Sequence, residues 1–372
     1  MKCLFFPHEQ YVNYHHEAGN LEIRLPIIES GFFEDYVDFV YQREERTFGR
    51  PTATYKALDL LKSYNPDVVI YFTTWGHENI DPVVLQAAKM QGKPVVNIRF
   101  DSKVNYSVEE ANTNSSSTHI AVFASISDMH RQRVLHEISP SYPKPFFVQG
   151  NNVLKSLFHP NKDVEKDIDV VFLGSRHGHR VEFLKKLEND LKSKGINFYF
   201  GGGNIDDTSN LITGHSGFIG ATADFIPIEK YISILQRSKI ALNIQTIPDH
   251  VTSIKGKVFE YLACGNLCLT DFNVELLGMV PKNVVEYYND YDHCLRLILE
   301  NLENNKYQNK SEFGHNWYNK NFDSTKFWLK SLQTIVEGEE FIHPEFIERD
   351  YQKVRRALLK DSGKSINFEI QI

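Results

Sequence analysis

The chain has 372 residues, with 41 Lys and Arg against 48 Asp and Glu, which gives a formal net charge of −7 at pH 7. Its 41% hydrophobic and 24% charged residues are ordinary for folded domains, so disordered and fibrous classes are excluded for most of the chain. The net negative charge argues against a protein whose whole surface binds nucleic acid or anionic membranes. It does not exclude a local basic pocket. Apolar runs such as Val68–Phe72 are far shorter than the ~20 residues of a bilayer span, so we expect no integral membrane segment.

The cysteines and the N-terminal residues indicate in which cellular compartment the protein works. The four cysteines stand at positions 3, 264, 268 and 294, and no two have the CxxC spacing of a zinc or redox motif. We therefore expect Cys264 and Cys268 to be small core residues, and we expect a cytoplasmic location. The first apolar stretch ends at Pro7, which is too early for a signal peptide.

The first half of the chain alternates short apolar strands with amphipathic helices. The predicted strands are Cys3–Phe6, Asp67–Phe72, Pro94–Phe100, His119–Ala124 and Phe146–Val148. The predicted helices are Pro51–Ser63, Pro82–Met90 and Ser127–Ile138. A stretch rich in Gly, Asn and Pro, from about 150 to 166, then interrupts the alternation and indicates a domain boundary.

The alternation restarts after the boundary. The predicted strands are Ile168–Leu173, Ile196–Phe200, Gly217–Ile219, Ile240–Ile244, Leu267–Thr270 and Asn283–Tyr287. The predicted helices are one that follows the first strand and ends at Gly195, then Ile228–Ser238, Ser253–Ala263, Asp292–Leu302 and a stretch at 348–360. Two successive series of this kind predict two parallel-sheet α/β domains, because parallel neighbours need crossover connections. We place the domains at 1–152 and 153–310, with C-terminal helices over 311–372.

Loops that follow the strands matter most, since doubly wound sheets bind ligands beyond the carboxyl ends of their strands. The loop after Ile168–Leu173 combines Gly174 with Arg176 and Arg180 at the start of a helix. Glycine lets the backbone approach a ligand, and arginines beside free helix amides suit a phosphate or diphosphate. A surface loop with two solvated arginines is the alternative.

Three consecutive glycines, at 201–203, directly follow the second strand of this half. Such a run is costly in conformational entropy. Close passage of a ligand would justify Gly201 and Gly202, and so would a plain tight turn, so both interpretations stay open.

The helix predicted from Ser253 onward has an unusual charge pattern. Lys255 and Lys257 lie in its first turns, where positive side chains oppose the helix dipole, and a bound anion would relieve that conflict. Thr252 or Ser253 is placed to cap the helix. Glu260 follows, and a carboxylate there could accept both hydroxyls of a ribose. An ordinary solvated glutamate with two surface lysines is the alternative that the pattern leaves open.

The stretch Lys257–Asp271 resembles the donor-site helix and strand of the GT-B glycosyltransferases of group 1, and is closest to their CgeB-like (spore-maturation-like) branch. Members of that branch carry a basic residue, Phe-Glu, an Ala-Cys-Gly turn and then Leu-Thr-Asp. Flanking segments are similar to the same family in the same order, namely Gln149–Pro160, Asp169–Arg180, Lys230–Asn243 and Val285–Asp290. The resemblance covers residues 150–305. It implies two Rossmann-like domains facing a cleft, with C-terminal helices packing back across the domain junction.

The resemblance also implies roles for individual residues. Glu260 would bind the donor ribose, Lys257 and Arg180 would hold the diphosphate with Arg176 nearby, and the amides of Ser253–Lys255 would cap a phosphate. The remaining donor-side candidates are Gly174, Gly201, Gly202 and Asn243. Because these groups would stabilise the charge on the leaving nucleoside diphosphate, the family usually needs no metal, and we expect no cofactor besides the nucleotide sugar as co-substrate.

The first domain would bind the acceptor. Asp101 directly follows a predicted strand, and His16 lies in the loop after the first strand, as His77 does after another. A carboxylate or imidazole at these places could deprotonate or orient an acceptor hydroxyl, and an ordinary exposed polar side chain is the alternative at each. The acceptor class stays open among glycans, lipid-linked sugars, proteins and modified nucleic acid.

One departure from the family bears on the donor. Many relatives carry a second glutamate eight positions before the ribose-binding one, where this chain has Thr252. The donor sugar, the nucleotide base and the stereochemical outcome therefore stay open. The leading hypothesis is a metal-independent glycosyltransferase. The alternatives are a sugar-nucleotide epimerase of the same fold and a non-catalytic nucleotide-sugar-binding protein. A dinucleotide-dependent oxidoreductase is disfavoured, because no strand is followed by an intact GxGxxG motif.

Overall fold

The computed structural model describes most of the chain, in two units. The residues described are 1–7, 23–72, 80–99, 120–123, 126–147, 153–174, 180–201, 228–244, 256–337 and 352. The first unit takes those up to 147 together with those from 325 onward, and the second takes those between 153 and 324.

The first unit is built on a parallel sheet with the strand order β2-β1-β3-β4-β5-β6. Its strands are β1 (Lys2–Phe6), β2 (Asp35–Asp38), β3 (Val68–Phe72), β4 (Val95–Arg99), β5 (Ile120–Phe123) and β6 (Lys144–Phe147). Strand β3 is buried along its whole length. A parallel strand covered on both faces reads as a continuous apolar run, which is why the sequence pattern predicted it.

Helices cover both faces of this sheet. They are α1 (Leu25–Glu29), α2 (Tyr41–Phe48), α3 (Arg50–Tyr64), α4 (Pro82–Met90) and α5 (Ile126–Ile138). Phe5 packs on one face with Ile27 of α1, whereas the preceding residue, Leu4, packs on the other face with Ala57 of α3. Successive side chains of a strand point to opposite faces, so each strand contributes to both cores.

The second unit has a parallel sheet with the strand order β11-β10-β9-β7-β8. Its strands are β7 (Ile168–Leu173), β8 (Phe198–Gly201), β9 (Ser238–Asn243), β10 (Leu267–Asp271) and β11 (Glu286–Tyr288). The chain runs from β7 outward to β8 and then returns to the other side of β7 to form β9. The strand order therefore reverses between β7 and β9, and such a reversal is where doubly wound sheets bind their ligands.

The helices of the second unit follow the predicted apolar spacing. They are α6 (Arg180–Ser193), α7 (Ile228–Gln236), α8 (Lys257–Ala263), α9 (Val274–Met279), α10 (Tyr291–Leu302) and α11 (Tyr307–Asn321), with a short 3-10 turn at Glu303–Asn305. On α6, Leu184, Leu187 and Leu191 are fully buried in the core of this sheet. After that helix the chain turns at Gly195, which has a φ of +70°. Only glycine adopts this left-handed conformation at no steric cost.

The end of the described chain contributes one helix to each unit. Helix α11 packs against α8 and β10 of the second unit. The next helix, α12 (Ser324–Glu337), belongs to the first unit, where Trp328 and Leu332 join the core that contains Cys3 and Phe5. The domain boundaries given above, with C-terminal helices over 311–372, stay predictions.

The two parallel-sheet α/β domains and the helical C-terminal region predicted from the sequence are confirmed. The largest shifts concern the start of α8, at Lys257 instead of Ser253, and the last strand, at Glu286–Tyr288 instead of Asn283–Tyr287. Elements missed by the sequence pattern are α1, β2, α2 and α9. The predicted strand Gly217–Ile219 lies outside the described residues, as does all but one residue of the predicted helix at 348–360.

All four cysteines are buried free thiols. Burial raises the pKa of Cys264 and of Cys268. In the described stretches, no group of three or more His, Cys, Asp or Glu is arranged to hold a metal ion. No helix among them has the length and hydropathy needed to cross a bilayer.

Candidate functional site

A lysine from α8 reaches the carboxyl end of β7. The Nζ of Lys257 donates a hydrogen bond to the backbone carbonyl of Leu173, the last residue of that strand. Gly174 makes room for this contact, because a Cβ built at that position would lie 2.7 Å from Nζ and 3.2 Å from Cζ of Phe172. The sequence pattern explained Gly174 by the approach of a ligand. In the structure, the approach of the Lys257 side chain already accounts for a glycine at this position, before any ligand is considered.

A buried arginine stands at the carboxyl end of the neighbouring strand. Arg180, the first residue of α6, is 6% exposed, and its Nη2 donates to the backbone carbonyl of Ile244, just beyond β9. Its guanidinium lies 5.9 Å from the ring centroid of Phe172. Burial lowers the pKa of Arg180, and the nearby carboxylate of Asp271 partly offsets that effect. A guanidinium held out of water in this way is typical of a functional position, and it is not a solvated arginine.

The two cations lie on either side of the reversal in strand order. Strands β7 and β9 pair directly in parallel, with Val170 opposite Ile240. Lys257 bonds at the end of β7, and Arg180 bonds just past the end of β9. Two positive side chains at such a reversal suit an anion with phosphate chemistry.

Glu260 is buried close to Lys257. It is 3% exposed and lies one turn further along α8, so it is not the solvated glutamate that the sequence left as an alternative. The phenol of Tyr231, on α7, donates a hydrogen bond to its Oε2. Burial raises the pKa of the Glu260 carboxyl, while the hydrogen bond from Tyr231 and the charge of Lys257 oppose that rise.

Asn243, another donor-side candidate, is 4% exposed at the end of β9. Its Nδ2 donates to Oγ1 of Thr270 on β10 at 2.9 Å, and its backbone carbonyl accepts from the phenol of Tyr288 at 2.8 Å. These bonds join β9 to β10 and β11 at the same carboxyl edge. In the described structure the Asn243 amide nitrogen thus ties the strand ends together.

The other predicted site residues are placed as follows. Gly201 is the last residue of β8, so it also lies at the carboxyl edge of the second sheet. The candidates that lie outside the described residues are Arg176, Gly202, Ser253, Lys255, Asp101, His16 and His77. Helix α8 begins at Lys257 with Gly256 as its N-cap and no side-chain cap, so the predicted start at Ser253, capped by Thr252 or Ser253, is wrong. The binding and catalytic roles of the candidates outside the described residues stay predictions.

Sequence reasoning missed Tyr231 as part of the site. In the predicted helix Ile228–Ser238 it shares the inward-facing spacing of Ile234 and Leu235, a pattern that indicates a core residue. Its partner Glu260 is 29 positions away, so no local spacing signals the contact. The tyrosine standing among apolar residues that need no hydrogen bond was the one available hint, since a buried phenol usually finds a polar partner.

Comparison with protein families finds a match that lies within the second unit. Residues 176–322 match the family described as "Glycosyl transferase-like". That region contains α8 and all of the described site except the end of β7. A comparison with curated proteins finds no match.

Solved structures share the fold over nearly the whole chain. A glycosyltransferase from Rickettsia africae ESF-5 is 14% identical with a TM-score of 0.58, covering 91% of this chain and 98% of its own. Anabaena Alr3699/HepE, in complex with UDP and glucose, is 11% identical with a TM-score of 0.60, covering 91% and 100%. Sucrose-phosphate synthase from Thermosynechococcus elongatus is 10% identical with a TM-score of 0.58, covering 90% and 98%. The expected GT-B fold class is confirmed by these similarities.

Proposed function

We propose that the chain is a glycosyltransferase that moves a sugar from a nucleoside-diphosphate sugar to an acceptor hydroxyl. The observation that carries this proposal is the convergence of Lys257 and Arg180 on the ends of β7 and β9, with buried Glu260 one turn from Lys257. The family match over 176–322 supports the same reaction class. So does the fold shared with a protein solved with UDP and glucose.

The proposed reaction breaks the bond between the anomeric carbon of the donor sugar and the diphosphate oxygen. The acceptor oxygen forms the new bond to that carbon and loses its proton, and the nucleoside diphosphate leaves with the electron pair. Negative charge therefore grows on the diphosphate, where Lys257 and Arg180 would stabilise it. With two fixed cations in that place, we propose that transfer needs neither a divalent metal nor a further cofactor.

Glu260 would recognise the nucleoside part of the donor. A carboxylate offers about four acceptor positions on two oxygens, which is enough for both hydroxyls of a ribose. Because Glu260 and Lys257 share one face of a short helix, ribose and diphosphate would be recognised side by side. Ser253, Lys255, Arg176 and Gly202 are proposed to complete the donor site.

The acceptor side of the proposal rests on the first unit. Asp101 or His16 would orient or deprotonate the acceptor hydroxyl. The acceptor itself is proposed only as a class: a glycan, a lipid-linked sugar, a protein or a modified nucleic acid.

Nucleotide affinity tests the donor site. Calorimetry with UDP, GDP and ADP should find at least one that binds, and Lys257→Met should weaken that diphosphate about tenfold or more while weakening the matching monophosphate less. Lys239→Met is the matched control, because Lys239 lies on the same sheet but pairs with Asp169 near the amino end of β7, at 2.6 Å. Failure of every nucleotide to bind the wild type would overturn the proposal.

Turnover tests the reaction. Incubation with UDP-, GDP- and ADP-sugars, followed by mass detection, should show release of the nucleoside diphosphate and a free or transferred sugar. EDTA should leave the rate unchanged. A sugar nucleotide converted to its epimer with no diphosphate released would contradict transfer.

A further inference from the structure

The contact between Tyr231 and Glu260 joins two helices at the candidate site. Tyr231 lies on α7 and donates its phenol proton to Oε2 of Glu260 on α8. Its ring is partly buried and meets the ring of Phe158 edge to face, with 6.4 Å between the centroids. The aromatic contact fixes the ring and the hydrogen bond fixes the direction of the hydroxyl, so the pair has one well-defined geometry.

Among the residues that the structure describes, Tyr231 supplies the one hydrogen bond to this carboxylate. That bond occupies Oε2, so the remaining acceptor positions lie mainly on Oε1. A carboxylate held by one oxygen cannot rotate freely about its last bond, and pre-orientation of this kind is what bidentate recognition of two neighbouring hydroxyls requires.

The charge state of Glu260 is set by opposing effects. Burial favours the neutral acid, whereas the bond from Tyr231 and the charge of Lys257 favour the carboxylate. Among the residues that the structure describes, the other titratable groups that interact electrostatically with Glu260 are Tyr261 and Cys264 on its own segment and Tyr318 on α11. Burial raises the pKa of each of these three, so they are uncharged near neutral pH.

We propose that Tyr231 is a positioning residue, which holds Glu260 as a carboxylate in one orientation and thereby makes the site select ribonucleotides over 2′-deoxyribonucleotides. The inference rests on the proposed function, since it takes Glu260 as the ribose-binding group. It goes further by assigning a residue outside the donor helix and a consequence that can be measured with nucleotides alone.

Paired affinities test the inference. UDP, GDP and ADP are each compared with their 2′-deoxy counterparts by calorimetry at pH 7.5. The wild type should prefer a ribonucleotide about tenfold or more, since the 2′-deoxy compound cannot make one of the hydrogen bonds to the charged carboxylate. Tyr231→Phe, which keeps the ring against Phe158, should cut this preference to about threefold or less.

The matched control is Tyr291→Phe. Tyr291 donates to Oδ2 of Asp190 at 2.6 Å, so that variant removes the same kind of phenol-to-carboxylate bond elsewhere in the second unit. It should keep the wild-type preference. Tyr231→Leu also removes the phenol donor. It should lower the preference as Tyr231→Phe does, and it serves as the test should Tyr231→Phe not fold.

The pH dependence separates positioning from a merely structural role. Burial raises the pKa of Glu260 and the hydrogen bond from Tyr231 lowers it, so the pKa should rise further when Tyr231→Phe removes that bond. As pH falls from 8 to 5.5, the ribose preference of that variant should therefore disappear at a higher pH than in the wild type. A structural defect would lower both affinities without moving this midpoint.

The outcomes are distinguishable. If Glu260→Gln abolishes the preference while Tyr231→Phe keeps it with an unchanged midpoint, the inference is overturned and the proposed role of Glu260 stands. If the wild type binds a nucleoside diphosphate but shows no preference, both the ribose assignment and the inference fail. If no nucleotide binds, the proposed function fails, and the inference fails with it.

Discussion

The ammonium of Lys257 occupies the space that a side chain on Gly174 would need. A Cβ at position 174 would lie 2.7 Å from Nζ, closer than non-bonded atoms approach, while Nζ bonds the carbonyl of Leu173. The last carbonyl of β7, the bare glycine and the lysine thus form one unit at the end of the strand. This relationship predicts that function and stability respond differently to a single methyl group.

Gly174→Ala should weaken nucleoside-diphosphate binding about tenfold with little loss of stability. The methyl group would push Nζ away from Leu173, but Nζ is the mobile end of a flexible side chain, so the free energy of unfolding should fall by less than about 1 kcal/mol. Calorimetry with UDP, GDP or ADP and urea denaturation of the same variant measure the two effects. Unchanged affinity would show that the position of Lys257 does not matter to the ligand.

Gly314→Ala should lower the stability of the protein and leave nucleoside-diphosphate binding nearly unchanged. A Cβ there would meet Cδ2 of Leu262 at 2.9 Å and the backbone carbonyl oxygen of Val284 at 3.0 Å, where α11 packs on the second unit. A backbone atom cannot move aside as a lysine tip can, so we expect a loss of about 1 to 3 kcal/mol from overpacking. Urea denaturation should show a lower midpoint with an unchanged slope, and a variant as stable as the wild type would contradict this packing.

Glu260→Gln should change how stability depends on pH. Because burial raises the pKa of Glu260 above its ordinary 4.5, the folded state binds this proton more tightly than the unfolded state does. Ionisation of Glu260 therefore destabilises the wild type as pH rises from about 4.5 through the folded-state pKa. Glutamine does not ionise, so the free energy of unfolding of the variant should rise relative to that of the wild type over that range. The expected rise is about 1.4 kcal/mol for each pH unit that separates the unfolded-state and folded-state pKa values of Glu260.

Urea denaturation of both proteins at several pH values from 5 to 8 measures that difference. A constant difference across the range would show that Glu260 titrates normally in the folded protein. The hydrogen bond from Tyr231 is kept in the variant, because the amide oxygen of glutamine still accepts it.

Lys166 offers a second test of pH dependence, with the opposite sign. Its Nζ donates to the backbone carbonyls of Ser238 at 2.6 Å and Gly265 at 3.0 Å. Burial lowers the pKa of Lys166 from 10.5 to about 8. Between these values the unfolded state holds a proton that the folded state has lost, so the wild type should gain stability relative to Lys166→Met.

The gain should reach about 2 kcal/mol between pH 7 and 9.5, as the lysine in the folded state sheds its charge. Comparison of the urea midpoints of wild type and Lys166→Met at these pH values measures it. A stability difference between the two proteins that stayed constant over this range would mean that the buried lysine keeps its proton.

The sequence predicted those helices and strands that have a clear pattern of apolar residues within their own segment. Strands such as β3 are unbroken apolar runs because both faces are covered, and the leucines of α6 recur at helical spacing. Strand β2, by contrast, reads Asp-Tyr-Val-Asp and is only partly buried at the sheet edge, so nothing in its pattern marks a strand. Helix α9 is only six residues long, too short for a clear periodicity.

The sequence predicted the residues of α8 that belong to the candidate site. It did not predict the residues from other elements that they contact. Lys257 and Glu260 stand out because a lysine at a helix start opposes the dipole and a glutamate interrupts an apolar face. The carbonyl that Lys257 bonds is 84 positions away, and the tyrosine that holds Glu260 is 29 positions away. Such pairs are created by the order of strands in the sheet, which local patterns do not specify.

Helix α12 belongs to the first unit although it lies late in the sequence, and this affects how that unit folds during translation. Trp328 and Leu332 fill a hydrophobic core whose other members include Cys3 and Phe5, at the opposite end of the sequence. While the ribosome is still translating, the N-terminal sheet must leave the exit tunnel with that core incomplete. It stays so until Trp328 follows, 181 residues after the end of β6 at Phe147. Slow elongation or a premature stop codon would thus prolong the exposure of an aggregation-prone surface on the part that is synthesised first.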